Sequence, residues 1–172
     1  MWYNNVMSVQ IKPYSSKLVD RFEAEKARIR GILGNNVTIE HVGSSAVGIG
    51  GKNIVDILIG VKDTDEMQRV RDELEENGYF EGNDSHPDRI FMATSEAETK
   101  EGDYHVHISP RETDTYQDFI ILRDYLRNNP EEAERYYREK ETLAKETKYD
   151  RKKYRALKSE YVSKLIKKAK TR

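Results

Sequence analysis

The stretch VTIEHVGSSAVGIGGKNIVDILIGV, residues 37–61, decides the fold. Its first part is short and rich in β-branched side chains, which predicts a strand from Val37 to Val42. Residues 43–51 contain four glycines and two serines in nine positions, so we predict a loop, or a loop that leads into a short helical turn. The run from Ile54 to Val61 is nearly all apolar, which predicts a strand buried on both faces.

Helical patterns flank these two strands. Apolar side chains at helical spacing predict one helix between Ser16 and Gly34 and another from Thr64 to Asn77, with Thr64 as its N-cap. Three further strands are predicted at residues 79–80, 89–94 and 103–109. The polar links between them, such as the one from Ser95 to Gly102, indicate antiparallel connections.

The last third of the chain has a helical pattern throughout. Asn129-Pro130 interrupts it, and we expect Pro130 to begin a new helix because its ring fits the first helical turn. This order of elements predicts an α+β fold, a mixed β-sheet flanked by helices with a C-terminal helical segment. We expect one structural domain, in which residues 1–115 form an α/β core and residues 116–172 form helices packed on it.

Composition excludes several classes of protein. The chain has 172 residues, 35% of them charged, and no cysteine, which rules out disulfide scaffolds, thiolate zinc sites and cysteine nucleophiles. It has neither a run of about 18 apolar residues nor an apolar secretory segment near its start, so we expect no membrane partner and a cytoplasmic location.

Charge is distributed unevenly along the chain. Residues 1–115 hold 13 Lys/Arg against 21 Asp/Glu, whereas residues 116–172 hold 17 Lys/Arg against 10 Asp/Glu. A basic tail attracts phosphate or nucleic acid and is a candidate surface for a protein partner, although a solvated face of Lys and Glu is the commoner explanation of such a run. Its tyrosines lie at helical spacing, which favours core packing over base stacking, and nucleic acid is therefore not an expected partner.

The glycine- and serine-rich segment is a candidate phosphate site. Small residues at Gly43, Ser44 and Ser45 let backbone N–H groups approach an anion, and Lys52 adds a positive charge. Asp56 lies inside the apolar strand, where an unpaired carboxylate is costly to bury. It therefore requires a metal, another cation or a hydrogen-bond partner, unless it lies at an exposed end of the strand. Capping of loop amides is the alternative role.

A second candidate cluster is Tyr104-His105-Val106-His107-Ile108. Strand alternation places His105 and His107 on one face, about 7 Å apart. Two imidazoles there suit a metal or a phosphate, whereas a bare His-x-His is more often a pair of polar residues on an open sheet face. Glu40 and His41 should point to opposite sides of their strand, so only one of them is expected to face a site.

Gly43-Ser44 followed by Asp56 resembles the signature of the DNA polymerase beta-type nucleotidyltransferases. A longer resemblance, from about Val9 to Ala169, is to the GrpB family, which is placed in that superfamily. It is carried by several stretches in order: Pro13-Tyr14, residues 22–25, Ile39-Glu40-His41-Val42-Gly43-Ser44, Ala46-Val47, Lys52, Ile54-Val55-Asp56-Ile57, His105-Val106-His107, residues 123–127, Pro130-Glu131, Lys140, Tyr154 and Lys158.

The resemblance implies a sheet of the nucleotidyltransferase type and binding of a nucleotide or another phosphorylated small molecule, with nucleotidyl transfer as the reaction. The implied phosphate-binding residues are Gly43, Ser44, Ser45, Lys52 and Arg123. The implied catalytic residues are Asp56, His105 and His107. The same three residues, together with Glu40, are the candidate ligands of a divalent metal (Mg²⁺, Mn²⁺ or Zn²⁺).

One departure from the superfamily pattern bears on catalysis. The residue two after Asp56 is Leu58 instead of a second carboxylate, so one expected metal ligand is absent. Two other functions therefore stay open. One is a non-catalytic interaction or folding-assistance module that retains a degenerate site. The other is metal-dependent hydrolysis by Asp56, His105, His107 and Glu40.

Overall fold

The computed structural model describes residues 9–84, 86–95 and 103–171. The predicted link over residues 96–102 lies outside these ranges. The helices are α1 (Lys17–Leu33), α2 (Gly43–Val47), α3 (Thr64–Glu76), α4 (Asp114–Asn128), α5 (Pro130–Glu146) and α6 (Arg151–Lys170). The strands are β1 (Thr38–Val42), β2 (Val55–Val61), β3 (Phe80–Glu81), β4 (Ile90–Ala93) and β5 (Tyr104–Pro110).

The five strands form one mixed sheet in the order β1-β2-β5-β4-β3. The β2–β5 pair is parallel, and the β1–β2, β4–β5 and β3–β4 pairs are antiparallel. Between the parallel strands β2 and β5 the chain passes through α3, β3 and β4, which gives the long crossover that a parallel pair requires. The predicted α+β class, with a mixed sheet and a C-terminal helical segment, is confirmed.

Helices cover both faces of the sheet. On one face, apolar residues of α1 and α3, among them Phe22, Ile29 and Leu74, pack against Ile57, Val106 and other buried strand residues. On the other face, Val42 and Leu58 pack against Tyr116 and Phe119 of α4. The helices α4, α5 and α6 then share a smaller apolar cluster of their own. The sheet is therefore the middle layer, and its α4 side holds the candidate site.

Two helix ends show how the local sequence sets the element boundaries. Pro130 begins α5, as predicted. For α3 the predicted cap, Thr64, was wrong: the Asp63 carboxylate accepts from the backbone N–H of Glu66 at 2.9 Å, and Thr64 is the first helical residue. Aspartate and threonine are both good caps, and here the residue with extended backbone geometry takes the role. None of the described helices has the length and hydropathy that crossing a bilayer requires.

Candidate functional site

Asp56, His105 and His107 meet on the face of the sheet that α4 covers. Asp56 pairs with His105 in the parallel register of β2 and β5, and His107 lies two residues further along β5 on the same face. The Asp56 Oδ1 atom is 3.6 Å from His105 Nδ1 and 3.7 Å from His107 Nε2. The sheet therefore places one carboxylate oxygen between two imidazoles.

The Asp56 carboxylate is held in its ionised form. Burial alone raises the pKa of a carboxyl group, but polar contact with His105 and His107 outweighs burial and holds the pKa of Asp56 far below its usual range. Burial also lowers the pKa of His107, so this ring is neutral near pH 7. The two imidazoles thus stabilise Asp56 as close polar neighbours, at 3.6 and 3.7 Å from its Oδ1 atom.

Arg89 fixes the tautomer of His107. The guanidinium Nη1 of Arg89 is 3.4 Å from His107 Nδ1, and a guanidinium has donors only. Nδ1 must therefore accept, which leaves the ring proton on Nε2, the atom that faces Asp56. The same guanidinium donates to the Asp84 carboxylate at 2.8 Å through Nη2, whereas its Nε is buried without a partner among the described residues.

A cavity of about 530 Å³ opens over this cluster, between the sheet and α4, α5 and α6. The described residues that line it include eight cationic side chains: Lys12, Lys52, Arg89, Arg123, Lys140, Arg151, Arg155 and Lys158. Two carboxylates, Asp56 and Asp84, are the only ones that line it in the described part of the chain, and Asp84 is already paired with Arg89 and Arg155. The cavity therefore has a large excess of positive charge.

Lys52 is one of the predicted phosphate-binding residues, and it lies in the cavity wall. Burial, followed by the charge of nearby Lys158, lowers the pKa of Lys52 to about 8. An anion in the cavity would relieve both effects, because it compensates the lost solvation and screens the neighbouring cation.

Gly43 gives the chain room to turn beside Asp56. Its φ is 72°, a left-handed geometry that favours glycine, and it begins α2 directly after β1. A Cβ at this position would lie 2.5 Å from Asp56 Oδ2. The glycine is therefore required twice, for its backbone conformation and for the space that the carboxylate occupies.

Ser44 lines the cavity, and its Oγ accepts from the Nζ of Lys140 at 2.7 Å. Lys140 also donates to the carbonyl of Gly50, so it connects α5 to both ends of the glycine-rich segment. Lys140 is not among the site residues predicted from the sequence. The available signal was its spacing, since Lys140 falls four residues after Tyr136 and three before Leu143, on the buried stripe of α5.

Ser45 does not join the predicted phosphate site. Its Oγ is 2.9 Å from His41 Nε2, its side chain is buried, and it borders a second cavity at the β1 edge of the sheet. His41 in turn stacks on Phe22 of α1. Consecutive residues of a short helix point in different directions, so Ser44 and Ser45 serve different cavities.

Glu40 does not join the predicted metal ligands either. As expected, Glu40 points away from His41. It lies on the edge strand β1, where its Oε2 accepts a hydrogen bond from Arg123 Nη1 at 2.7 Å. Arg123 borders both cavities, and its Nε also donates to Asp124 at 2.7 Å. Much of the predicted phosphate-binding capacity of Arg123 is therefore taken up by protein carboxylates.

The remaining donors do not fit the two-metal site that the resemblance implies. Leu58, where a second carboxylate would stand, is fully buried in an apolar cluster. The Nε2 of His107 carries a proton toward Asp56 and offers no lone pair there. Within the three described ranges, no group of three or more His, Asp or Glu side chains is arranged to hold a metal ion.

Comparisons with known proteins agree on one family. The model of a family described as GrpB protein matches residues 8–168. A UPF0157 protein of Pseudomonas aeruginosa is 33% identical over 163 residues, which cover 92% of this chain and 66% of that protein. A UPF0157 protein of Halalkalibacterium halodurans is 30% identical over 167 residues, which cover 94% and 83% of the two chains.

A solved structure shares the fold over nearly the whole chain. It is the conserved protein GrpB from Enterococcus faecalis, which superposes with a TM-score of 0.79 at 28% identity and covers 93% of this chain and 96% of that one. The sequence resemblance, the matched family model and this superposition lead to the same conclusion: the chain belongs to the GrpB family.

Proposed function

We propose that this chain binds a nucleotide or another phosphorylated small molecule in the cavity over Asp56. The observation that carries the proposal is the excess of cationic side chains over carboxylates among the residues that line the cavity. Cations crowded in a partly buried space repel one another, and a phosphate group relieves that repulsion.

Several side chains of the cavity supply positive charge for binding. Lys52 and Lys158 line the cavity and supply point charges, and neither forms an ion pair with a described residue. Arg89 adds a guanidinium to the cavity wall, where it is held by His107 through Nη1 and by Asp84 through Nη2.

The rest of the cavity suits the organic part of such a ligand. Apolar side chains of the sheet and helices form part of its wall, among them Phe91, Phe119, Leu122 and Val162. Asp56, kept ionised, can accept a hydrogen bond from a hydroxyl or amino group. A ligand with an anionic end, an apolar or aromatic body and a hydroxyl therefore matches the site, and a nucleotide has all three.

Nucleotidyl transfer is the reaction that the family resemblance implies. In it, an acceptor hydroxyl attacks the α-phosphorus in line, and catalysis depends on positioning and charge. The cations of the cavity can stabilise negative charge on a departing diphosphate. A divalent metal bound with the nucleotide would add to that stabilisation, although this chain supplies few oxygen ligands for it. A cytoplasmic location, where nucleotides are abundant, accords with this function.

One observation favours a second function. Leu58 replaces a carboxylate and is fully buried, which suits a binding module without transfer activity. In that case the same cavity would bind a regulatory nucleotide, and the C-terminal helices would contact a protein partner.

Thermal unfolding with nucleoside triphosphates tests the binding proposal. At 100 times the dissociation constant, a ligand stabilises by about 2.7 kcal/mol, which raises the Tm of a chain of this size by about 5–10 °C. Each nucleotide is tested with EDTA, Mg²⁺, Mn²⁺ and Zn²⁺. We expect the Tm of the native protein to rise when a nucleotide binds. The Tm of the Lys52→Met/Lys158→Met double variant should change little.

A matched control removes the same number of charges elsewhere. Lys152 and Lys167 are exposed on α6 and do not line the cavity, so Lys152→Met/Lys167→Met should keep the full Tm increase. A flat response of native protein across the panel would overturn the proposal, as would an equal loss of response in both double variants.

A further inference from the structure

Ser44 and Lys140 form a hydrogen-bonded pair that binding alone does not require. The Lys140 Nζ lies 2.7 Å from Ser44 Oγ, and the two residues are 96 positions apart in the chain. Lys140 is also held by the carbonyl of Gly50, so its amine is fixed in position. A hydroxyl, a base within hydrogen-bond reach and a third group that orients the base are the parts of an activated nucleophile.

The Ser44 hydroxyl is the one that the glycine-rich segment presents to the cavity. Ser44 is half-buried in the wall, whereas Ser45 is buried and bonded to His41 outside the cavity. Gly51 leaves space behind Ser44, because a Cβ there would lie 3.2 Å from the Ser44 Cβ. The backbone therefore brings one serine, and not its neighbour, to the cavity beside Asp56.

The environment of Lys140 makes a neutral amine readily available near pH 7. Burial, and then the charge of Lys158 on α6, lower the pKa of Lys140 to about 7, against the opposing charges of Asp56 on β2 and Glu141 on α5. A neutral amine has a lone pair that can accept the Ser44 proton while one N–H still donates to Gly50. Desolvation beside another cation is one way in which proteins prepare a lysine to act as a base.

We propose that Ser44 is a nucleophile and Lys140 its general base, and that the chain transfers a phosphorus group from a phosphoanhydride onto the Ser44 hydroxyl. The inference rests on the proposed function for its substrate class. The same cavity holds Lys52, Lys158 and Arg89, which suit a substrate that carries several negative charges. A nucleoside triphosphate is the probe that matches this chemistry.

The step balances without an oxidant or reductant. The Ser44 Oγ forms a bond to phosphorus, the bridging P–O bond of the anhydride breaks, and the proton of the hydroxyl moves to Lys140 Nζ. The leaving group is diphosphate if the α-phosphorus is attacked, or the nucleoside diphosphate if the γ-phosphorus is attacked. Lys140, now protonated, stays beside the new phosphoester and stabilises its charge.

Intact-protein mass spectrometry after incubation with ATP tests the proposal, with parallel samples in Mg²⁺ and in EDTA. We expect a mass increase of one adenylyl or one phosphoryl group in at least one of the two, and peptide mapping should locate it on Ser44. Ser44→Ala should abolish the adduct. Lys140→Arg keeps the positive charge but has no base near neutral pH, and should slow adduct formation at least about 100-fold.

Controls separate chemistry from folding. Ser163→Ala and Lys145→Arg alter exposed residues of α6 and α5 and should form the adduct at the native rate. The Tm of each variant is measured, and Ser44→Ala alone decides the question of the nucleophile if Lys140→Arg does not fold. The base is then tested by the pH dependence of native adduct formation, which should rise as pH passes through about 7.

The outcomes distinguish the two proposals. A Tm increase with ATP but no adduct in native protein would overturn the nucleophile and leave the proposed binding function intact. No Tm increase with any nucleotide of the panel, together with no adduct, would overturn both. An adduct on a residue other than Ser44, or an unchanged rate in folded Lys140→Arg, would also contradict the assignment.

Discussion

At the scale of single residues, Gly43 is the position where the backbone and the site depend on each other. A side chain there would need a left-handed φ of 72° and would collide with the Asp56 carboxylate. Gly48 has a similar φ of 85°, but a Cβ there would meet nothing within 4 Å. A substitution at Gly48 therefore measures backbone strain alone, whereas one at Gly43 measures the same strain together with the collision with Asp56.

We predict that Gly43→Ala destabilises the fold more than Gly48→Ala. The left-handed geometry costs each variant about 1–2 kcal/mol, and only Gly43→Ala must also displace Asp56 from its two histidines. Urea denaturation should show an additional loss of at least about 1 kcal/mol for Gly43→Ala. Equal losses in the two variants would mean that Asp56 moves aside freely.

The ionisation of Lys52 predicts how phosphate binding depends on pH. Its pKa is lowered to about 8, and only the protonated amine attracts an anion. Below pH 8 the charge is already present, whereas above pH 8 binding must take up a proton, so the affinity should fall by up to about tenfold per pH unit.

Calorimetric titration with inorganic triphosphate between pH 7.5 and about 9.5 checks this dependence. Lys52→Arg stays protonated throughout and serves as the matched variant, so its affinity should fall less steeply above pH 8. If native protein and Lys52→Arg had the same pH profile, Lys52 would not contact the anion.

The residues of the central cluster differ in how far the sequence predicts their placement. Strand alternation is local, and it correctly places His105 and His107 on one face. Their proximity to Asp56 depends on the parallel pairing of β2 with β5, which the spacing of residues in the sequence does not predict. The tautomer of His107 depends on Arg89, which directly precedes β4, and no local pattern reveals this contact.

At the scale of elements, an ion pair connects α4 to the edge strand β1. The Arg123 guanidinium bonds Glu40 of β1, and the arginine side chain is only 10% exposed. From the sequence, Arg123 is a predicted phosphate-binding residue and Glu40 a predicted metal ligand. The sequence does not pair them, because they are 83 positions apart and meet only when α4 packs on the sheet.

We predict that Arg123→Met lowers the free energy of unfolding by about 2 kcal/mol, since it leaves the Glu40 carboxylate without its charged donor. Arg138 forms a comparable pair with Glu134 on α5 but is 74% exposed, and Arg138→Met should cost less than about 0.5 kcal/mol. Urea denaturation of both variants provides the comparison. Similar small losses would show that the Arg123 pair contributes little to holding α4.

Lys140 illustrates why the helical half of the site was missed. Its place on the buried stripe of α5 is visible in the sequence, but its contacts with Ser44 and Gly50 are set by how α5 lies across the glycine-rich segment. Helix periodicity gives the buried face of an element and not the partner of that face. The position of a long-range partner has to come from the structure.

At the scale of the whole molecule, the structure explains the basic excess of residues 116–172 in two ways. Part of the basic excess of the tail turns inward, since Arg151, Arg155 and Lys158 of α6 line the cavity. Another part lies on the surface in pairs such as Lys164–Glu160, as a solvated face would. The fold closes the basic tail over the acidic first part and places the cavity between them.

The central claim is that the cavity over Asp56 receives a phosphate-bearing ligand, and mapping amide shifts by NMR during a titration with ATP tests it most directly. The account predicts that the largest shifts cluster at Gly43, Lys52, Asp56 and His107, around the first cavity. Shifts confined to the second cavity at the β1 edge, or to the outer face of α6, would contradict it.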